Sequence, residues 1–354
     1  MKNIVAIVAL LGGLVAGPVS IQSPPAESSP ASTANGLTGF GYGLAVAYPD
    51  GLQASQMGFN WIVAYGPPKV AQPTHVLYRV PASAGALGNL GAFQAQLDAQ
   101  ITQYGGFIDA YEIGNEVNLG SEWGAAPVAA DYVSVLCAAS TVIRSKDPTA
   151  TIVSAGLATV GRVVGSWNGH AGHNGSEQDE RQYLTEFIQD NGHACADAIG
   201  YHPMGFRAMY YAAPDVTLGT PETDCSAGLC FRSAEKIHEI LQAHGLANRK
   251  IWATEVGWIV APPDVCLSDP SWTGRAWQIV PPLQRAENVV GAFMYARSNW
   301  PWLEAMFLWN LNFNSAGYYS VCEQMRYYSI PEDVGILTSM FKDIHRIHLP
   351  LAIR

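Results

Sequence analysis

A single-domain (β/α)8 barrel, the TIM-barrel fold, is what this α/β sequence predicts, on three observations. From residue 39 onward, short apolar runs alternate with segments of helical period, the pattern of βα units around a parallel sheet. The 354 residues, 49% hydrophobic and 14% charged, suffice for one large core of the size such barrels take. The alternative, a doubly wound open sheet, normally carries a Gly-rich phosphate turn after its first strand, and none follows here.

In order, the first apolar run spans residues 40–47 and stops at Pro49-Asp50-Gly51. The second covers 59–65 and the third 76–80, with no room for a proper helix between them. Asn89 then caps a helix whose face carries Leu90, Phe93, Leu97, Ile101 and Tyr104, and Gly105-Gly106 stops it. The fourth strand, 108–116, leads to a helix built on Val128, Tyr132, Leu136, Ala139 and Ile143. Strand five covers 151–157; Ser176 with Asp179 caps the next helix, which buries Tyr183, Leu184, Phe187 and Ile188. Strand six covers 198–202, and its helix starts at Ser233, packs Ile237, Ile240 and Leu241, and ends at Gly245. Strand seven covers 251–255, with Leu283, Ala286, Val290 and Phe293 marking its helix. Strand eight covers 305–309, and the closing helix uses Val334, Leu337, Phe341 and Ile344. The long loops follow strands five to eight, at the barrel face where catalytic groups collect.

The barrel is assigned to residues 37–354, behind two segments of different character. Lys2, an apolar run over 4–16 and the small residues after it make a secretory signal within 1–22, too short to cross a bilayer. Residues 23–36 form a Pro/Ser-rich linker with too little apolar surface to pack. The expectation is a secreted or cell-surface monomer with no membrane span in its mature form. In an exported chain, six cysteines favour disulfides over metal ligation. Cys225–Cys230 and Cys266–Cys322 are the preferred pairs; Cys137 and Cys195 either bond or stay as small buried hydrophobes. A net charge of −10 and 19 scattered basic residues leave no basic stripe for nucleic acid.

Two carboxylates, Glu116 and Glu255, close strands four and seven after apolar residues. A carboxylate is costly to bury unless it is paired or functional. The bland reading of either is a salt bridge or a solvated strand end. Two at one barrel rim suggest glycoside hydrolysis, in which one protonates the leaving oxygen and the other attacks the anomeric carbon. Glu112 shares parity with Glu116 two layers deeper and reads as structural, with Arg79 on strand three as its partner.

The segment Glu112-Ile113-Gly114-Asn115-Glu116-Val117-Asn118 resembles the strand-four signature of the clan A glycoside hydrolases, (β/α)8 retaining enzymes that include β-xylosidases, β-mannanases and cellulases. Trp252-Ala253-Thr254-Glu255-Val256-Gly257-Trp258 is similar to their strand-seven nucleophile segment. The resemblance implies Glu116 as acid/base, Glu255 as nucleophile and Asn115 as donor to the sugar 2-hydroxyl. His202 matches the histidine the clan places after strand six and, with Tyr201 beside it, is expected to contact the substrate, a satisfied structural histidine being the competing role; Trp309 matches the sugar-platform tryptophan after strand eight. Two departures stand out. Met204 occupies the place of an aromatic hydroxyl that bonds the nucleophile, which leaves Tyr201, Tyr210 or Tyr211 to orient Glu255. Val63-Ala64-Tyr65 stands where many members carry an arginine. Trp258 and Trp123 follow the two catalytic strands and read as outer sugar contacts; for every aromatic named, core packing is the competing role.

The implied ligand is an oligo- or polysaccharide, with no metal or organic cofactor. His170 and His173 have metal-ligand spacing but no acidic ligand segment beside them, and Asn174-Gly175-Ser176 is a formal glycosylation sequon. The competing functional class is a sugar-binding protein on the same barrel without turnover, motivated by Met204 and the missing arginine. A third is a surface adhesin that uses the barrel as a stiff body.

Overall fold

The structure, a computed structural model, describes residues 39–48, 51–214, 216, 220, 222–314, 317 and 319–330. The signal and linker segments and the closing helix on Val334, Leu337, Phe341 and Ile344 lie outside the described residues.

Each of the eight apolar runs forms a strand: β1 (Gly41–Ala45), β2 (Trp61–Ala64), β3 (His75–Val80), β4 (Ala110–Ile113), β5 (Thr151–Ser154), β6 (Ala198–His202), β7 (Lys250–Val256) and β8 (Leu303–Leu308). All neighbours are parallel, and β8 pairs back onto β1 from Gly41↔Ala305 to Leu44↔Leu308, which closes the sheet into a TIM barrel. The seam between β5 and β6 holds one register pair, Val153↔Ala198. Beyond Gly156 the chain re-pairs with β6 at Leu157↔Tyr201 and Ala158↔His202, so strand five is broken where the sequence suggested one run.

Apart from a single helical turn at Gly120–Trp123, the α-helices among the described residues are α1 (Gly51–Gln56), α2 (Leu90–Tyr104), α3 (Ala129–Lys146), α4 (Glu180–Gln189), α5 (Ala234–Ala243) and α6 (Pro282–Asn299). None separates β2 from β3, as the short connection required. Asn89 caps α2 through Ala92 N–H at 2.9 Å. On α4 the cap is Asp179 alone, accepting from Arg181 N–H; Ser176 lies too far ahead of the first turn. Leu283 was expected on the buried face of α6 but is exposed, since it sits in the first turn before the helix meets the barrel.

Alternation along the strands builds two cores. Outward residues such as Ile62, Tyr78, Tyr111, Ile152 and Ile251 pack under the helices. Inward residues form a separate cluster inside the barrel, its floor an aromatic layer in which Trp252 lies 5.1 Å from Trp61 and 5.9 Å from Phe307. Those rings fit only because β1 supplies glycine opposite them: a Cβ on Gly43 would stand 2.1 Å from the Phe307 ring. All three cysteine pairs form, including Cys137–Cys195, which ties α3 to the turn before β6. Among the described residues no helix is long and apolar enough to cross a membrane.

Gly43→Ala therefore overpacks the barrel floor. We expect a loss of about 1–3 kcal/mol in urea-induced unfolding; an unchanged midpoint would contradict the glycine–Phe307 contact.

Candidate active site

At the C-terminal face the loops enclose a cleft of about 510 Å³ lined by Tyr65, Arg79, Asn115, Glu116, Glu122, Glu255, Trp309, Tyr319 and Met325, among others. The two glutamates reach it by different backbone devices. Strand β4 ends at Ile113, short of the expected end at Glu116, because Gly114 turns the chain with φ +86°. Glu116 itself has φ +41°, a conformation that costs a non-glycine residue roughly 1–3 kcal/mol and that recurs at functional sites. Its N–H donates to Gly156 O at 3.0 Å, and its carbonyl accepts from Leu119 N–H at 2.8 Å, which holds the turn.

On β7, strict alternation from inward Trp252 and outward Ala253 would send Thr254 inward and Glu255 out into the helix layer. The register with β8 slips between Ala253↔Met306 and Val256↔Leu308, so three steps on β7 match two on β8. This bulge turns Glu255 inward as well as Thr254, the re-aiming that bulges perform near active sites. One carboxylate oxygen of each glutamate and a ring nitrogen of His202 consequently lie within 4.8 Å of one another.

Arg79 on β3 ties the site together. Its Nε donates to Glu112 Oε2 at 2.6 Å and its Nη1 to Glu255 Oε1 at 2.5 Å, with all three residues buried. The guanidinium also lies 5.2 Å from the centre of the Tyr65 ring, within cation–π range. The expected Arg79–Glu112 pair is present. The added bond holds one oxygen of Glu255, a partner that the sequence left open at Met204 and after strand two. None of the three tyrosines considered for that task performs it. Tyr201 lies in the helix layer, bonded to Ser233 and Thr159; Tyr210 packs on α6 at Gly291; Tyr211 is exposed.

A second chain of bonds runs behind Glu116. The Thr254 hydroxyl donates to Glu112 Oε1 at 2.7 Å, so its lone pairs are left to accept from His202 Nε2–H at 3.1 Å. With Nε2 holding that proton, His202 Nδ1 faces Glu116 Oε1 at 3.0 Å and shares one further proton with it. Gly156 makes this packing possible, since a Cβ there would stand 2.1 Å from His202 Nε2. Burial alone would push the imidazole down; Glu255 and Glu116 outweigh it and hold its pKa above the ordinary value. Burial raises the Glu255 carboxyl, against the opposing pull of His202 and Arg79. Glu116 keeps 24% of its side chain exposed and Glu255 10%, so the first meets solvent and the second largely does not.

Of the other residues singled out in the sequence, Asn115 lines the cleft and donates to Glu122 Oε2 at 3.1 Å, while Trp309 forms its wall, edge-on to Tyr65 and Phe313. His202 is fully buried, which corrects its reading as a substrate contact: it reaches the cleft only through Glu116. Tyr201 and Trp258 are likewise fully buried and stand outside the cleft. Strand alternation beside inward His202 turns Tyr201 outward, while Trp258 packs on Gly205 and donates to Ala208 O, joining two loops from below. Trp123 is buried against Tyr132. Tyr65 and Glu122 also line the cleft; the sequence marks Tyr65 by its place at a strand end and gives no sign of Glu122. Tyr65 Oη, Arg79 Nη2 and Asn115 Oδ1 are buried without hydrogen-bond partners among the described residues, and all three residues border this cleft. Unsatisfied polar atoms gathered at one cavity mark a place for a polar ligand.

Among the described residues, Glu116, His202 and Glu255 are also the one cluster with the makings of a metal site. The Arg79 guanidinium on Glu255 opposes a cation there. His173 is spent structurally, donating to Pro127 O and accepting from Gly175 N–H, and His170 pairs with Glu186.

No protein-family model matches the chain, and no curated protein matches it in sequence. Its fold is similar to that of several solved structures. A GH128 (subgroup II) endo-β-1,3-glucanase from Sorangium cellulosum aligns with TM-score 0.52 and 15% identity over 85% of this chain and 97% of its own. A β-1,3-glucanase and pollen allergen of Cryptomeria japonica aligns with TM-score 0.53 and 14% identity over 82% and 95%. A glucosidase from Croceicoccus marinus aligns with TM-score 0.55 and 9% identity over 85% and 66%. At such identities the likeness is one of fold.

Removing the shared cation should be costly. Arg79→Met strands two buried carboxylates, and we expect a loss of about 3–5 kcal/mol in chemical denaturation. Adding Glu112→Gln should recover part of it; no recovery would mean that the pair is not coupled as described.

Proposed function

We propose that this protein is a retaining glycoside hydrolase acting on a β-linked saccharide. The observation that carries this reading is the approach of the two glutamates to within 4.8 Å across one cleft. That is the regime, about 5–5.5 Å between carboxyl groups, in which one carboxylate attacks directly and no water fits between sugar and base. Fold likeness to glucanases and a glucosidase agrees with it as an analogy.

In the first step Glu255 attacks the anomeric carbon through Oε2, which lies 3.8 Å from His202 Nδ1, too far for a hydrogen bond. Its other oxygen stays on Arg79. As the glycosidic bond breaks, Glu116 transfers its proton to the departing oxygen and a glycosyl ester forms on Glu255. In the second step Glu116, now the base, takes a proton from a water that displaces the ester, and the product keeps its configuration. The exposure of Glu116 suits that exchange with water, and His202 behind it can share the proton in either state. Trp309 offers an aromatic face to the apolar side of the sugar ring. In this reading Asn115, which lines the cleft, bonds a hydroxyl beside the anomeric carbon, a contact that strengthens as charge develops.

The non-catalytic reading drew on a missing support for Glu255. Arg79 supplies that support from β3, and nothing specific now favours it. Three disulfides and the signal-like start of the sequence support export.

Hydrolysis of a glycan panel with product anomers followed by NMR tests the proposal; inverted product would overturn it. Glu116→Ala should slow turnover of unactivated glycosides by about 10²–10⁴-fold, with azide partly restoring the second step. Attack needs ionised Glu255, whose pKa burial raises above 4.5. Activity should therefore fall on the acid side with a midpoint above that value, read from kcat/KM against pH.

A further inference from the structure

The loops after β6 and β7, which leave the strands carrying His202 and Glu255, meet again away from the two glutamates. Phe206 and Trp277 stack there with ring centres 5.8 Å apart and planes 6° from parallel. Trp277 sits in a short 3-10 turn (Ala276–Gln278), and 45% of it is exposed. Phe206 has φ +51°, a left-handed conformation that a bulky side chain rarely adopts. With that backbone the phenyl ring lies stacked on the indole.

The indole borders a cavity of about 340 Å³ whose other walls include Arg207, Thr220, Asp224, Ser226 and Leu229. One wall is stiffened by the Cys225–Cys230 disulfide, which packs with Ala208 and Ala212 in a small core of its own. Neither ring of the stack is needed to fill the barrel, since both lie outside its two cores. A flat apolar face beside a guanidinium, a carboxylate and hydroxyls matches a sugar ring, which pairs an apolar C–H face with donors and acceptors at its edge. Arg207 and Asp224 carry opposite charges, so this lining has no net charge to favour a charged ligand; Asp224 also accepts from Ser226 N–H, and the Thr220 hydroxyl bonds that of Thr223. Phe206 follows His202 by four residues, so its Cα lies within about 14 Å of that of His202. Both loops leave the C-terminal ends of parallel strands, so the stack and the cleft share that face of the barrel.

We infer that Phe206, Trp277 and the adjoining cavity form a remote binding site for a neutral sugar unit of a long polysaccharide, one that takes no part in bond cleavage. This rests on the glycosidase reading of the cleft. It goes beyond that reading in stating that the preferred substrate is a polymer held at two places at once. Such linkage raises apparent affinity for the long chain without new contacts at the scissile bond.

The test compares the unaltered protein with Trp277→Ala and Trp277→Tyr. Affinity electrophoresis in gels containing laminarin, barley β-glucan, xylan or glucomannan reads binding without needing turnover. At least one polymer should retard the unaltered protein, Trp277→Ala should lose most of that retardation, and Trp277→Tyr should regain it. On the same polymer, KM for Trp277→Ala should rise about five- to tenfold at unchanged kcat, with aryl-glycoside hydrolysis unaffected. Unchanged retardation, retardation by no polymer, or equal loss on polymer and aryl glycoside would overturn the site. If no glycoside is cleaved but retardation still depends on Trp277, the catalytic reading fails and the binding site stands.

Discussion

One buried cation, Arg79, holds the working face of this protein in place. It is shared between Glu112, deep in the barrel, and Glu255 at the rim, on three different strands. Carboxylates at this depth are tolerable only when paired and hydrogen-bonded. Glu112 meets that condition fully, with Arg79 on one oxygen and Thr254 and Gly156 N–H on the other. Glu255 meets it with one oxygen and leaves the other beside the cleft. The asymmetry separates a fully bonded glutamate from one with an oxygen left beside the cleft, on the same guanidinium.

From that anchor the geometry follows outward. Thr254 passes the influence of Glu112 to His202, and His202 sets its remaining nitrogen on Glu116. Glu116 and Glu255 are therefore joined behind the cleft by one continuous set of bonds across β3, β4, β6 and β7. Backbone irregularity delivers both side chains: the left-handed turn at Gly114 and Glu116, and the bulge between Ala253 and Val256. A regular barrel of the same sequence would aim Glu255 into the helices.

Much of this was legible in the sequence, for identifiable reasons. All eight strands announced themselves because each is buried on both faces, and both glutamates stood out as charges closing apolar runs. The Arg79–Glu112 pair was readable because both residues point inward on adjacent strands in register, Arg79↔Glu112. The Arg79–Glu255 bond was not readable, since it depends on a bulge that local pattern does not encode. Tyr201 was misread although the alternation beside His202 already turned it outward. Trp258 was misread because an aromatic in a loop gives no sign of whether it faces solvent or, as here, a glycine that makes room for it.

The central claim is that Glu255 is the atom source of a covalent bond to sugar. Incubation with an activated 2-fluoro glycoside, followed by peptide mass spectrometry, tests it directly. The account predicts a stable adduct of one sugar on Glu255, absent in Glu255→Gln. An adduct on another residue, or turnover of the same reagent with inversion and no adduct, would contradict it.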